Sequence, residues 1–362
     1  MKRILHIIGS MNRAGAETML INLYRVLDRD QYQFDFLYFT DKKCDYDDEI
    51  EKLGGKIYRV KSTGSVSRFW ETYKFLRSNK QFYAVHTHTL LNNGFNVLGA
   101  SLAGHQKRIS HSHSTSNVSN NSFSSKIYFH LSKYLINTFS TGLIACGYEA
   151  GNYLFYKNKQ FKYLPNAVNF DDFNHTHKSL RPYFECDENT LLICQIGRFL
   201  KVKNHSFSIE LAKYMDERNI DFKLIFVGDG VLRETMERKV KEYGLDSKVE
   251  FLGLRKDIPR ILSSSDCMIL PSLHEGFPVV LVESQVAGTP SLISTNVAKE
   301  VDLGVGLIQF EFLSSNFNLW VDKLQKISKL KKRDKCHLKV LEDKGFNTKS
   351  SLKQLLNYYN DI

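Results

Sequence analysis

The stretch His274-Glu275-Gly276-Phe277-Pro278-Val279-Val280-Leu281-Val282-Glu283 decides how the rest of the chain is read. It follows Asp266 to Ser272, an apolar run of strand length that closes on Pro271-Ser272. Pro278 suits the first position of a helix, where its missing N–H is not needed. A strand, a tight loop and a helix start are therefore predicted. The amides from Gly276 to Val280 then project from the positive end of that helix, which attracts phosphate and sugar oxygens. The helix is apolar on every side and reads as buried, so Glu283 within it requires a partner or a polar ligand. Glu275, before the helix, and Glu283, near its second turn, are placed to accept hydrogen bonds from two hydroxyl-bearing parts of one ligand. A buried helix whose two glutamates pair with lysine or arginine is the alternative.

At 362 residues, with 42% apolar and 25% charged residues, the chain suits two soluble domains of ordinary size. No apolar run approaches the ~20 residues that span a bilayer. Met1 to Gly9 is too short in its apolar part for a signal peptide and reads as a first buried strand. Cys44, Cys146, Cys186, Cys194, Cys267 and Cys336 are scattered without a Cys-x-x-Cys pair, the pattern of reduced core thiols in a cytoplasmic protein. The net charge of +11 favours phosphorylated small molecules or an anionic membrane surface. No helix-turn-helix, zinc-finger or RNP signature accompanies it, so nucleic acid is not an expected partner.

In the first half, strands are predicted at Ile4 to Ile8, Phe34 to Phe39, Lys56 to Val60, Ala84 to His88, Arg108 to His111, Leu143 to Cys146 and Tyr163 to Leu164. Helices fall between them near Ala16 to Leu27, Ser67 to Ser78, Asn92 to Ala103 and Ser125 to Thr138. Asn169 to Asn189 is polar and reads as a link. Strands then resume at Leu191 to Ile196, Leu224 to Val227, Val249 to Leu252, Cys267 to Leu270, Ser291 to Ile293 and Leu307 to Phe310. The alternation implies an α/β protein of two doubly wound, Rossmann-like domains, with ligands at the carboxyl ends of the strands and in the cleft between them. The domains are expected at 1–168 and 169–345. Leu352, Leu355, Leu356 and Tyr359 mark a final amphipathic helix in 346–362.

Three loops fall at expected strand ends. Gly9 to Glu17 offers small residues, Gly15 among them, that let backbone approach a ligand, but lacks the Gly-x-Gly-x-x-Gly spacing of dinucleotide folds. Gly197-Arg198-Phe199-Leu200-Lys201-Val202-Lys203-Asn204-His205 places a guanidinium and an ammonium near a helix start, able to neutralise a departing diphosphate. A solvated basic loop is the plainer reading. Val227-Gly228-Asp229-Gly230 reads as a close-approach turn. His86-Thr87-His88 and His111-Ser112-His113 are suited to proton traffic near neutral pH or to buried backbone bonding; the four histidines could also ligate a metal, but no paired Cys, Asp or Glu stands at ligand spacing, so none is expected.

The Glu-x7-Glu stretch resembles the signature of the family 4 glycosyltransferases, and Gly-Arg-Phe followed by Lys203-Asn204 is close to that family's phosphate-binding motif. Gly15-Ala16-Glu17 is similar to its Gly-Gly-Ala-Glu loop, with Ala14 for the first glycine. Pro165-Asn166-Ala167-Val168-Asn169 is similar to its Pro-Asn-Gly-Val-Asp connection. The resemblance runs from Ile4 to about Phe310. It implies a GT-B fold with two domains facing across a cleft, and a retaining transfer from a nucleotide diphosphate sugar to a glycan or polyprenyl-linked acceptor in cell-surface polysaccharide synthesis. The first domain would then lie on the acceptor side, the second would bind the donor, and the last helix would return to the first. By the same resemblance Glu283 would hold the ribose, Glu275 the donor sugar, the amides of Gly276, Phe277 and Val279 around Pro278 the sugar and phosphates, and Arg198 with Lys203 the diphosphate. His113 would meet the transferring sugar or acceptor. A nucleotide-sugar epimerase and a non-catalytic nucleotide-sugar-binding protein are the rival readings.

No cofactor other than this co-substrate is expected, and no essential metal. Asp28-Arg29-Asp30 and Asp45-Tyr46-Asp47 have the Asp-x-Asp spacing of manganese-dependent enzymes, but are expected around the first helix and second strand, away from the ligand. Ser67 to Lys80 and Ser125 to Phe139 interleave aromatic and basic residues, which suits packing on the sheet or a peripheral position on the inner face of the cell membrane.

Overall fold

A computed structural model describes residues 1–62, 64–114, 122–173, 178–330 and 335–362. The chain forms two compact units, Met1–Val168 with Gly345–Ile362, and Asn169–Lys344.

In unit 1, strands β1 (Lys2–Ile8), β2 (Tyr32–Tyr38), β3 (Ile57–Arg59), β4 (Phe82–Thr87), β5 (Arg108–Ser112), β6 (Gly142–Ala145) and β7 (Lys162–Tyr163) alternate with helices. The helices are α1 (Gly15–Arg25), α2 (Asp47–Lys52), α3 (Ser65–Ser78), α4 (Asn93–Leu102), α5 (Phe123–Phe139) and α6 (Tyr148–Leu154). The seven strands are parallel in the order β3-β2-β1-β4-β5-β6-β7. Alternate residues bury opposite faces, as a doubly covered sheet requires. Ile4, Phe34, Phe36, Ala84, Ile109 and Ile144 join α1 residues such as Leu20 and Tyr24, while Leu5, Ile7, Leu37 and Val85 join Leu76 and Ala100. Helices α2 and α6 fall where the sequence reading had none. Both are short, and α2 is almost wholly polar, leaving no apolar stripe to detect.

Unit 2 comprises β8 (Leu191–Ile196), α7 (His205–Asp216), β9 (Phe222–Val227), α8 (Arg233–Glu242), β10 (Val249–Phe251), α9 (Ile258–Ser264), β11 (Cys267–Leu270), α10 (Val279–Ala287), β12 (Ser291–Ser294), β13 (Ile308–Glu311), α11 (Phe317–Ile327) and α12 (Lys335–Asp343). Its parallel sheet runs β10-β9-β8-β11-β12-β13, so the winding reverses between β8 and β11. Ile193, Leu224, Phe226, Ile269 and Leu292 pack with Ile209, Trp320 and Leu324 in one core.

The segment expected as a polar link is packed into unit 2. Phe170, Phe173, Leu180 and Phe184 are buried, and Arg181 bonds Asp266 at 2.7 Å. These four apolar side chains anchor it. Positions 174–177 lie outside the described residues.

The last helix, α13 (Thr348–Asp361), lies on the first sheet, where Leu352, Leu355 and Tyr359 join the core of Ile4 and Ile144. Lys2 Nζ donates to Asn360 Oδ1 at 2.8 Å, and the Leu143 amide to Tyr358 Oη at 2.9 Å. Among the described residues no disulfide links Cys44, Cys146, Cys186, Cys194 or Cys267; the side chain of Cys336 is outside the described residues.

Candidate active site

In an open α/β sheet, ligands sit beyond the carboxyl ends of the strands where the winding reverses. In unit 2 that point lies between β8 and β11. The adjacency brings Gly197-Arg198-Phe199, after β8, beside Pro271 to Pro278, after β11.

The first loop tightens into a single helical turn at Lys201–Lys203 and leaves it through Asn204, whose φ of 53° is left-handed. That conformation turns the Asn204 amide toward the second loop, where its Nδ2 donates to the Pro271 carbonyl at 3.0 Å. The Leu273 amide donates to the Val202 carbonyl at 2.8 Å, so the two loops are stitched together. Lys203 lies along Gly197, and its ammonium meets Glu275 Oε1 at 2.5 Å with both side chains largely shielded. Ser272 Oγ donates to the same carboxylate oxygen at 3.4 Å. A third loop braces Glu275 from behind: its amide donates to the Asn296 carbonyl, and the Ala298 amide donates to its own carbonyl at 3.0 Å. Arg198 is exposed and no described residue engages its guanidinium.

The glycine turn after β9 fits under this loop. A Cβ on Gly228, at φ +139°, would lie 2.1 Å from the Gly197 carbonyl oxygen, and one on Gly230 2.8 Å from Phe199 backbone. The Phe199 amide donates to the Asp229 carbonyl at 3.0 Å. Only glycine permits so close an approach. Phe199 is then clamped under His205, ring centroids 4.1 Å apart. Burial, with the Lys203 charge added, pushes His205 down to about 4, so its ring is neutral.

Pro278 is not the first helical residue as expected. It is the extended residue before α10, at ψ 124°, and the helix begins at Val279. A proline there caps without a side chain, and no described residue accepts from the amides of Val279 and Val280. The orphan donors of the helix start therefore remain available. Gly276, Phe277 and Pro278 are half-buried beside them.

Glu283 lies in the first half of α10 among buried residues and keeps a little solvent contact. Burial pushes its carboxyl up to about 7, and the neighbouring Asp172 carboxylate pushes in the same direction. No described residue donates a hydrogen bond to it, and no lysine or arginine pairs with it. Of the two sequence readings for this glutamate, internal pairing is therefore excluded among the described residues. Asp172 comes from the turn Phe170–Phe173, in the segment read as a link, and nothing in its sequence pointed to Glu283.

Two of the expected residues, Gly15 and His113, belong to unit 1. Gly15 opens α1, whose N-terminus has no side-chain cap. The loop before it is held from β2's far side: Asp45 Oδ2 accepts from the Arg13 amide at 3.0 Å, and Asn12 Oδ1 from the Asp45 amide at 3.1 Å. Asp47 pairs with Arg59 at 2.6 Å. The Asp45–Asp47 pair thus follows β2 and braces the glycine loop, where the sequence reading had set it apart from any ligand loop. His113 is half-buried, with Nε2 2.8 Å from His88 Nδ1 and Nδ1 without a partner among the described residues. Burial pushes its ring down to about 3. His6 joins this group from β1, a member the sequence reading missed because strand register alone brings it there.

An uncapped helix start, a lysine–glutamate pair and Glu283 thus lie on the loops and the helix that follow β8 and β11 of a parallel α/β unit. Residues 178–302 match the family Glycosyl transferases group 1. The chain is 35% identical over 370 residues to a Bacillus subtilis (strain 168) protein provisionally named the glycosyltransferase EpsF, covering 99% of this chain and 96% of that one. It is 24% identical to the capsular polysaccharide biosynthesis glycosyltransferase CapH of Staphylococcus aureus, covering 99% of each. Anabaena HepE in complex with UDP superposes with a TM-score of 0.80 at 17% identity over 100% of each chain. The sucrose-phosphate synthase of Thermosynechococcus elongatus does so at 0.78 and 15%, over 100% of this chain and 99% of that one. The chain belongs to the group 1 glycosyltransferases and has the GT-B fold.

Proposed function

We propose that this protein is a retaining glycosyltransferase that moves a sugar from a nucleotide diphosphate sugar to a glycan or polyprenyl-linked acceptor in cell-surface polysaccharide synthesis, whether exopolysaccharide, capsule or lipopolysaccharide. The observation that carries the reading is the meeting of Lys203 with Glu275 beside the uncapped start of α10. Full-length similarity to CapH supports the polysaccharide setting. An Escherichia coli relative, 26% identical over 80% of this chain and 78% of its own length, is named UDP-Gal:alpha-D-GlcNAc-diphosphoundecaprenol alpha-1,3-galactosyltransferase, which supports a UDP-sugar and a lipid-linked acceptor.

In this proposal, Glu283 receives the ribose hydroxyls, and α10's first amides with Arg198 and Lys203 take the diphosphate. Glu275, held by Lys203 and the loop after β12, receives hydroxyls of the donor sugar. The bond from the anomeric carbon to the phosphate oxygen breaks as the bond to the acceptor oxygen forms on the same face. The acceptor proton passes to the departing phosphate, whose charge Arg198 and Lys203 offset in place of a metal ion.

An acceptor on a lipid places the enzyme at the inner face of the membrane. Among the described residues no helix is long and apolar enough to cross it. Helix α5 instead exposes Phe123, Ile127, Leu131 and Tyr134 along one stripe beside exposed Lys126 and His130, and α3 exposes Val66 and Trp70. A basic apolar stripe suits an anionic surface.

The test is incubation with a panel of UDP- and GDP-sugars, with and without membrane extract, for wild type and Glu275→Gln. Transfer into lipid-extractable product that the variant loses, with its thermal unfolding unchanged, is expected. A new sugar nucleotide formed without acceptor would replace the proposal with an epimerase, and undiminished turnover in Glu275→Gln would remove that residue from the mechanism.

A further inference from the structure

Strand register gathers five histidines on one face of the first sheet. His6 lies opposite His86 across β1 and β4, His88 follows β4, His111 is the last but one residue of β5 and His113 follows the strand. Residues two apart share a face, so the rings stack in one group: His86 and His88 have centroids 4.2 Å apart, His111 and His113 3.9 Å. The group lies at the carboxyl ends of β1, β4 and β5, next to the switch point of unit 1.

Its hydrogen bonding is incomplete. His88 Nδ1 faces His113 Nε2 at 2.8 Å, His88 Nε2 faces His6 Nδ1 at 3.0 Å, and His86 Nδ1 faces the Tyr359 hydroxyl at 2.6 Å. Both nitrogens of His111, with His6 Nε2, His86 Nε2 and His113 Nδ1, are buried without a partner among the described residues. His6, His86 and His111 have no exposed surface. Buried polar atoms are almost always bonded, so five such nitrogens in one place suit a polar or metal ligand. Imidazole nitrogens are a donor set that zinc and its neighbours in the first transition series favour.

We propose that His88, His111 and His113 bind one divalent transition-metal ion, zinc in chemical class. Their three ligand nitrogens all lie within 4.8 Å of one another. A tetrahedral ion with bonds of about 2.0–2.1 Å needs nitrogens about 3.3 Å apart, so the 2.8 Å pair opens by about half an ångström to admit it. The ion would take His88 Nδ1 and His113 Nε2, and His88 Nε2–H would donate to His6 Nδ1, the kind of outer bond that fixes the orientation of a metal-bound imidazole. His113 is the half-buried member and gives the route in from the surface. The site is built wholly from residues of unit 1.

A tag-free full-length chain, stripped with chelator, is titrated with Zn2+ by calorimetry and with Co2+ by visible absorption. One ion per chain is expected, with the intense ligand-field bands of tetrahedral cobalt. His88→Ala and His111→Ala should lose it. His6→Gln, which disturbs only the outer bond, should weaken binding by roughly 10–100-fold. His130→Ala, on the exposed face of α5, should leave it unchanged. Circular dichroism verifies that each variant is folded, and His6→Gln carries the test if the alanine variants are not. Absence of cobalt bands and of retained zinc in wild type overturns the proposal in favour of a water-filled cluster, and unaltered binding in all three cluster variants places the ion elsewhere. The readout is metal content, so failure here leaves the transfer proposal standing, and failure of transfer leaves this one standing.

Discussion

Replacing Glu283 by glutamine separates stability from function with opposite signs. In the free protein, burial and Asp172 raise this carboxyl from 4.5 to about 7. The difference corresponds to ~3 kcal/mol in favour of the protonated form. Between those pH values the native state holds a proton that the unfolded chain has released, so stability falls as pH rises through this window and stays lower above it. Glutamine never ionises and escapes the loss. Glu283→Gln is therefore expected to match wild type near pH 4.5 and to exceed it above pH 7 by up to ~3 kcal/mol, or roughly 5–10 °C in Tm for a unit of this size. The same change removes a charged acceptor from the proposed ribose contacts. Hydrogen bonds to a charged group contribute ~1.5–3 kcal/mol, so UDP should bind roughly 10–100-fold more weakly. Differential scanning fluorimetry across pH and calorimetry with UDP measure the two effects on the same preparations. Equal Tm values at high pH would refute the buried-charge account, and equal UDP affinity would remove Glu283 from the donor site.

Two further outcomes follow from the geometry. Gly228→Ala drives a Cβ into the Gly197 carbonyl at a backbone angle that alanine resists; a loss of about 3 kcal/mol or more is expected, seen as a lower Tm together with weaker UDP binding as the Arg198 loop shifts, and a normal Tm would show that the two turns are not in contact. Ile127→Ser with Leu131→Ser removes the centre of the exposed α5 stripe. At ~1.5–3 kcal/mol for each buried aliphatic side chain, co-sedimentation with anionic vesicles should drop at least about ten-fold while UDP binding is unaltered, and equal sedimentation would turn attention to Val66 and Trp70 on α3.

Much of the fold was legible because a doubly covered parallel sheet writes its strands as short apolar runs. Leu191 to Ile196 and Cys267 to Leu270 are predicted with the bounds observed for β8 and β11. The loops that carry chemistry were legible for the same reason: Arg198, Lys203 and Glu275 each follow such a run. Strand order was not. That β8 lies beside β11, and hence that Lys203 reaches Glu275, is a non-local pairing with no local signature. Asp172 was missed because a polar turn and a polar linker look alike until Phe170 and Phe173 are seen to be buried. The histidine cluster was half legible: the two His-x-His pairs announce a shared face, but His6 joins them only through the β1–β4 register. Pro278 was placed one step too far into its helix, since proline's fixed φ serves a cap as well as a first turn.

The return of α13 to the first sheet has a bearing on how the molecule is made. Met1–Val168 leave the ribosome without the helix that covers Ile4, Ala84, Ile109 and Ile144, and the whole of Asn169–Lys344 must be translated before it arrives. The later-made unit is thus the first to be complete, and the earlier one waits with an apolar face uncovered, an invitation to chaperones and to misassembly between nascent chains. A premature stop within the final helix would accordingly injure the portion translated first and spare the portion translated just before the stop.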